Sequence, residues 1–244
     1  MDFDFETMTD EEIIDLIHDL SEGTEELEKN PDKAAAAAKA GADKGNAEAQ
    51  YLYGTFLIQG VGAEKDEEAA GEYWRKSAEQ GYAPALNRLG MCCMAGACGF
   101  EKNSAKAAEY FSAAAQKGYA ESYVHLYGLY NSETGAEQNH AKALECLKAA
   151  VEADYSPAYL LLGIEILQNS ASSPERQAEG AALLRKAAED GDMMAQLFYG
   201  TCCENGIGIE KDLSEAAGWY RRAAKAGSVP ANNALKKLGF PGVM

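Results

Sequence analysis

Residues Ala195 to Gly227 read AQLFYGTCCENGIGIEKDLSEAAGWYRRAAKAG, and residues Ala49 to Gly81 read AQYLYGTFLIQGVGAEKDEEAAGEYWRKSAEQG. The two are one pattern written twice. Each opens with Ala-Gln, reaches Tyr-Gly-Thr and crosses a glycine loop, Gly60-Val61-Gly62 in one copy and Gly206-Ile207-Gly208 in the other. Both restart at Glu-Lys-Asp and close on an aromatic pair, small residues and Gly. Repetition at this period signals a helical solenoid, whose units bury their apolar faces only against neighbours.

Working outward, unit-ending positions fall at Gly45, Gly81, Gly118, Asp154, Gly191 and Gly227, at alternating intervals of 36 and 37 residues. Glycine suits such sites because helices commonly stop on a left-handed residue, where a side chain is penalised. Asp154 departs from this and is expected to weaken its turn slightly. The first helix of each unit carries a small residue (Ala49, Ala85, Ser122, Ala158, Ala195). A large residue follows, with glycine beside it in four of the five units: Tyr53-Gly54, Leu89-Gly90, Leu126-Tyr127, Leu162-Gly163 and Tyr199-Gly200. A later apolar position completes the stripe at Leu57, Cys93, Tyr130, Ile166 and Cys203. The second helix ends on Tyr73-Trp74, Tyr110-Phe111, Cys146-Leu147, Leu183-Leu184 or Trp219-Tyr220, each followed by small residues. Large side chains filling gaps left by small ones on the facing helix make a dense core.

At the start, Thr9-Asp10-Glu11-Glu12 is a capping box ahead of Ile13, Ile14, Leu16, Ile17 and Leu20. This acidic helix reads either as a cap on the array or as an arm that docks a partner. Pro31 opens an alanine-rich helix of high propensity. Val229 to Leu238 reads as one more first-type helix without a mate. The expected division is an acidic segment at 1–30, an array at 31–227 and a C-terminal helix and tail at 228–244. Within the array, 31–45 is a half repeat, followed by units at 46–81, 82–118, 119–154, 155–191 and 192–227.

The net charge of −17 is uneven: residues 1–32 hold thirteen acids against one lysine, and the remainder carries only −5. Neither part suits a phosphate backbone, so nucleic acid is excluded as a partner class. No apolar run approaches the roughly 20 residues of a membrane span. The first residues lack the layout of a secretory signal, which points to the cytoplasm. The six cysteines show no Cys-x-x-Cys, and no histidine stands at zinc-finger spacing, so reduced, mostly buried thiols are expected and no metal or other cofactor. Cys93 and Cys203 take the apolar stripe position; Cys92 and Cys202 are less determined.

No catalytic constellation emerges. The glycine loops lack the Gly-Lys-Ser/Thr of a phosphate loop and follow no strand, so they read as inter-helix turns. His18, His125 and His140 form no paired-histidine motif; His125 falls on a first-type helix, lining either core or groove. Paired carboxylates such as Glu67-Glu68, and Asp190 with Asp192, sit at helix starts and turns, where they favour the helix dipole.

The motif Ala…Leu-Gly…Tyr…Gly-x-Gly…Asp…Ala…Trp-Tyr-x-Lys/Arg-Ala-Ala…Gly, repeated in register over about residues 31–238, resembles the Sel-1-like repeats, relatives of the tetratricopeptide repeats. Unit three departs with Tyr127 at the usual glycine and Ser132 to Gly135 in the loop; unit four departs with a turn at Asn169 to Pro174. The resemblance implies an all-α, right-handed superhelix of helix-turn-helix units and a non-catalytic scaffold or adaptor, monomeric or weakly dimeric, that binds a protein or peptide. It also implies a groove lined by the first helices. Carried over unit by unit, the groove positions are Tyr51, Thr55, Asn87, Met91, Met94, Val124, Asn131, Leu160, Ile164, Leu167, Leu197, Thr201 and Glu204. The same positions could equally pack between repeats. Look-alikes serve bacterial signalling, envelope or secretion pathways, and some inhibit toxins, so an immunity-type inhibitor of a basic effector is the alternative. A β-lactam-processing hydrolase is more remote, since no serine has lysine three residues later.

Overall fold

A computed structural model describes residues 3–24, 27–132, 138–169 and 173–243, which form thirteen α-helices and no strand. They fall into two compact units, residues 1–143 and 144–244. The first contains α1 (Asp10–Glu22), α2 (Pro31–Asp43), α3 (Ala47–Gln59), α4 (Glu67–Glu79), α5 (Ala83–Ala95), α6 (Ser104–Gln116) and α7 (Glu121–Asn131). Helix α8 (His140–Glu152) runs across the division. The second contains α9 (Ser156–Gln168), α10 (Pro174–Glu189), α11 (Met193–Asn205), α12 (Leu213–Lys225) and α13 (Val229–Lys237). The fold is an all-α repeat, as the periodicity predicts. The departing stretches Glu133 to Gly135 and Ser170 to Ser172 lie outside the described residues.

Short polar residues start most of these helices. Asn30, Asn46, Asp66, Asn103, Ser173, Asp192, Asp212 and Ser228 each accept a bond from a backbone N–H of the first turn. Thr9 and Glu12 complete the expected capping box, with Thr9 N–H donating to Glu12 Oε2 at 2.7 Å. Helices α5 and α9 lack a capping side chain and have proline in the first turn instead, where its missing N–H costs nothing.

Among the described residues, a recurrent hydrogen bond closes five of the helical pairs. The amide of the second helix's N-cap donates to the carbonyl of the late apolar residue in the first: Asp66 to Leu57 at 3.1 Å, Asn103 to Cys93 at 2.8 Å, Asn139 to Tyr130 at 2.8 Å and Asp212 to Cys203 at 2.9 Å. Asn30 donates to Leu20 at 2.8 Å, so α1 and α2 are joined in the same way. This bond sets the register across the pair. Gly54 then stands against Trp74, Gly90 against Phe111 and Gly200 against Tyr220, so close that a Cβ on the glycine would lie 2.6, 2.6 and 2.7 Å from the ring. In the α1–α2 pair the same register places Ile17 opposite Ala38; both are buried, and the large and small partners have changed sides.

The second glycine of each Gly-x-Gly loop has a different task. Gly62 and Gly208 adopt φ +68° and +70°, and a Cβ there would meet the Pro31 and Gln177 carbonyl oxygens at 2.0 and 2.1 Å. The loop lies backbone to backbone on the second helix of the preceding pair.

Asp154 does adopt the left-handed conformation, at φ +55°. Its carboxylate compensates by accepting from Tyr159 Oη at 2.6 Å and Lys186 Nζ at 2.5 Å, contacts that hold it below the usual carboxylate range. These contacts act against the expected weakening of this turn. At the end of the chain, the unmated α13 is covered by its own tail. Asn232 donates from its amide to the Val243 carbonyl at 3.1 Å and accepts from the Val243 N–H at 2.8 Å.

Two equivalent glutamines differ in one partner. Gln50 Oε1 accepts from Gln80 Nε2 at 2.9 Å, whereas Gln196 Oε1 is buried without a hydrogen-bond partner, because Ala226 occupies the position of Gln80. An unmet buried acceptor is costly and a restored bond is worth about 1 kcal/mol. Ala226→Gln should therefore raise stability by about that amount in urea denaturation. Gly208→Ala should lower it by more than about 2 kcal/mol, combining a left-handed alanine with a backbone clash.

Candidate functional site

Residues of α9, α10 and α11 enclose an apolar hollow of about 150 Å³ in the second unit. Ile164, Leu167 and Gln168 line it from one side at spacings of three and four, and Phe198, Thr201 and Cys202 repeat that spacing on the other. Leu184 and Ile207 complete the lining. Leu184 can sit there because Gly163 leaves room: a Cβ on that glycine would be 2.9 Å from Leu184 Cγ.

The polar groups of the lining are largely engaged. Thr201 Oγ1 donates to the Leu197 carbonyl at 3.0 Å and lies 3.2 Å from Tyr220 Oη, whose proton goes to Glu204. The Cys202 thiol is buried, and loss of solvent pushes its pKa up to about 11. It stays protonated and is a poor nucleophile. The hollow therefore offers van der Waals contact with an amide, Gln168, among its lining residues.

The residues predicted for a groove divide by unit. In the second, Ile164 and Thr201 meet in the hollow together with Leu167, while Leu160 and Leu197 are half-buried against the core cluster. Glu204 accepts from Tyr220 Oη at 2.7 Å, tied to the second helix of its own pair. In the first unit, Tyr51, Met91 and Val124 are half-buried, Met94 is exposed, and Thr55 donates its hydroxyl to the Tyr51 carbonyl at 3.0 Å. Asn131 is exposed and lies 3.3 Å from His140 Nδ1. Asn87 requires correction: it is only 4% exposed and accepts from Ser122 Oγ at 2.8 Å, so it joins two repeats and is closed to a partner.

Gln168, Leu184, Phe198, Cys202 and Ile207 were not foreseen as site residues. The tetratricopeptide carry-over considers only residues facing straight out of the first helix, whereas Phe198 and Cys202 sit on its flank toward the preceding repeat. The i, i+3, i+4 spacing of Phe198, Thr201 and Cys202 was the available signal. His125, left open between core and groove, is half-buried, stacked on Phe111 with centroids 4.7 Å apart and 3.3 Å from Glu121.

Among the described residues, no three His, Cys, Asp or Glu side chains are grouped to hold a metal ion. None of the described helices is long and apolar enough to cross a membrane.

The Sel1 repeat model matches residues 47–82, 83–119, 119–155, 156–192 and 194–228. The chain belongs to the Sel1 repeat family. A solved structure described as c5321, a protective antigen of uropathogenic Escherichia coli strains with an SLR fold, superposes with TM-score 0.84 at 26% identity over 98% of this chain. A Sel1 repeat protein from Oxalobacter formigenes does so with TM-score 0.85 at 26% identity over 96% of this chain and 67% of its own length. A 65-residue stretch is 42% identical to the chitin synthase regulator SKT5 of Malassezia restricta, covering 27% of this chain. The chain spans only 4% of that regulator and 51% of the c5321 chain. Sel1 repeats typically mediate protein–protein contact, and what these Sel1 relatives share with this chain is the repeat.

The thiols should behave as core residues. Burial pushes Cys92 and Cys203 up to about 12, Cys92 with help from the neighbouring Cys98 thiol. A disulfide-exchange reagent at pH 8 should react with native Cys92, Cys202 and Cys203 far more slowly than with half-buried Cys146. All six should titrate at once in denaturant, with peptide mapping assigning the order.

Proposed function

We propose that the chain is a non-catalytic protein-binding module, a scaffold or adaptor. Its first-type helices receive a partner polypeptide, and one apolar side chain of that partner seats in the hollow between α9 and α11. The observation that carries this reading is the hollow itself. It is apolar on most of its wall and about 150 Å³ in volume. A cavity of that size lined by aliphatic and aromatic residues admits a benzene ring. One Leu, Met or Phe side chain therefore fits, and an anchor residue in a pocket is where binding energy concentrates. The thiol in the wall, Cys202, is held protonated by burial and is a poor nucleophile.

Family membership supports the same class of function, since repeats of this kind present extended surfaces to other chains. Seating one such side chain is worth about 1.5–3 kcal/mol, or roughly tenfold to a hundredfold in affinity.

Peptides selected from a displayed random library against the native chain should share a single large apolar anchor. Ile164→Asp should weaken them by at least about tenfold. Val229→Asp, at a site 68% exposed and away from the hollow, should leave them unchanged. Both variants should keep the native circular dichroism spectrum. Selection of peptides without an anchor, or equal binding to Ile164→Asp, would remove the hollow from the interface.

A further inference from the structure

The repeat register gives Phe198 a counterpart in the first unit: Ala195 corresponds to Ala85, so Phe198 corresponds to Arg88 and Leu184 to Trp74. Where the second unit has a phenyl ring over a leucine, the first has a guanidinium over an indole. Arg88 Cζ lies 5.4 Å from the Trp74 ring centroid. The Trp74 ring is itself fixed, fully packed against Gly54 and donating from Nε1 to the Tyr51 carbonyl at 3.1 Å.

Arg88 is half-buried, yet among the described residues no carboxylate lies within ion-pair distance of it. Among the described residues, its one hydrogen-bonding neighbour is the weak acceptor Met91 Sδ, 3.8 Å from Nη1. This occurs in a chain with 39 acids against 22 bases, where a counter-charge is easily supplied. The half-buried Arg75 has one, Glu72, at 2.7 Å. The carboxylate of Glu121 is bonded to Tyr119 Oη at 3.0 Å and faces His125. Guanidinium does not shed its proton, so the charge at Arg88 persists. Stacking on an indole satisfies its face, whereas the in-plane N–H groups still call for an acceptor.

We propose that Arg88 is a recognition residue for a carboxylate of the bound polypeptide, supplied by an Asp or Glu side chain or by a terminal carboxylate. Two parallel N–H groups of a guanidinium match the two oxygens of a carboxylate. The net acidity of the chain, even at −5 over residues 33–244, opposes polyanions, which favours a single carboxylate over a nucleic acid or a phosphate array. The proposal rests on the reading of the first-type helices as the partner-facing side. It concerns a different residue in a different unit from the hollow, so the two can fail separately.

The chain has two tryptophans, Trp74 and Trp219, and their indole N–H cross-peaks provide a reporter and a control. Trp219 also carries a stacked arginine, Arg222, at 4.2 Å, but that arginine is exposed. The probes are Ac-Ala-Leu-Asp-Leu-NH2, Ac-Ala-Leu-Leu-OH, their uncharged counterparts Ac-Ala-Leu-Asn-Leu-NH2 and Ac-Ala-Leu-Leu-NH2, and inorganic phosphate, all at one ionic strength. The carboxylate peptides should move the Trp74 cross-peak saturably, at concentrations at least about tenfold below their uncharged counterparts and below phosphate, as expected for a charge-assisted bidentate contact. Trp219 should not respond. Whichever acid titrates first identifies the source, side chain or terminus. Arg88→Met should abolish the preference for acid while retaining the circular dichroism spectrum. Should that variant fail to fold, the acid-against-amide comparison on the native chain decides alone. Equal titration by acid and amide, phosphate binding as well as the peptides, or a preference that survives in Arg88→Met would each overturn the assignment. An effect of Ile164→Asp on the uncharged peptides bears on the hollow and leaves Arg88 untouched.

Discussion

Three pairs of helices in this chain depend on one approach distance. The ring of Trp74, Phe111 or Tyr220 lies where the Cβ of Gly54, Gly90 or Gly200 would otherwise be. Removing that methyl brings the helix axes together, and the freed volume is filled by the largest side chains in the core. Because Trp74 sits so close, its indole N–H can reach the Tyr51 carbonyl, so the same contact that excludes water also satisfies the buried donor. The closing bond from N-cap amide to stripe carbonyl fixes the register that makes the match possible.

The pattern sets a large side chain against a small one, with identity free to change. Gly opposite Trp and Ile17 in register with Ala38 are two solutions to one packing problem. The alanine-rich α2 looks too poor in apolar bulk to hold a core, yet Ile13, Leu16, Ile17 and Leu20 of α1 supply it from the other side. Polar groups are treated likewise: Ser122 and Asn87 satisfy one another between repeats, and the irregular Asp154 turn is held by Tyr159 and Lys186.

Much of this was legible before any coordinates. The interval between Gly45, Gly81 and their equivalents located the helix ends, since a left-handed residue is a local backbone demand that sequence displays directly. The stripe of Ala49, Leu57 and their equivalents identified the core face for the same reason. The candidate site was legible only in part. Ile164 and Thr201 were found because they project outward from the helix axis, but Asn87, at the register of the half-buried Leu160 and Leu197, is buried. Its fate depends on Ser122 in the next repeat, a non-local pairing that periodicity does not encode. Phe198 and Arg88 share a register position and differ in chemistry, and only the surroundings show that one lines a hollow and the other carries an unmatched charge. Unsatisfied groups are properties of a neighbourhood, so they become visible only once the neighbours are placed.

Both halves of the glycine–ring lock belong to a single repeat, whereas the second glycine of the loop, Gly62 or Gly208, rests on the helix of the preceding one. The two contacts therefore impose different rules on how such a chain can be lengthened or recombined. A whole repeat can be duplicated or moved because its internal lock travels with it, but a junction cut between the two helices of a pair separates ring from glycine. The loop contact adds a direction. Each new repeat must find a bare backbone on the repeat before it, so order along the array is constrained at the seam even where the repeats themselves are interchangeable.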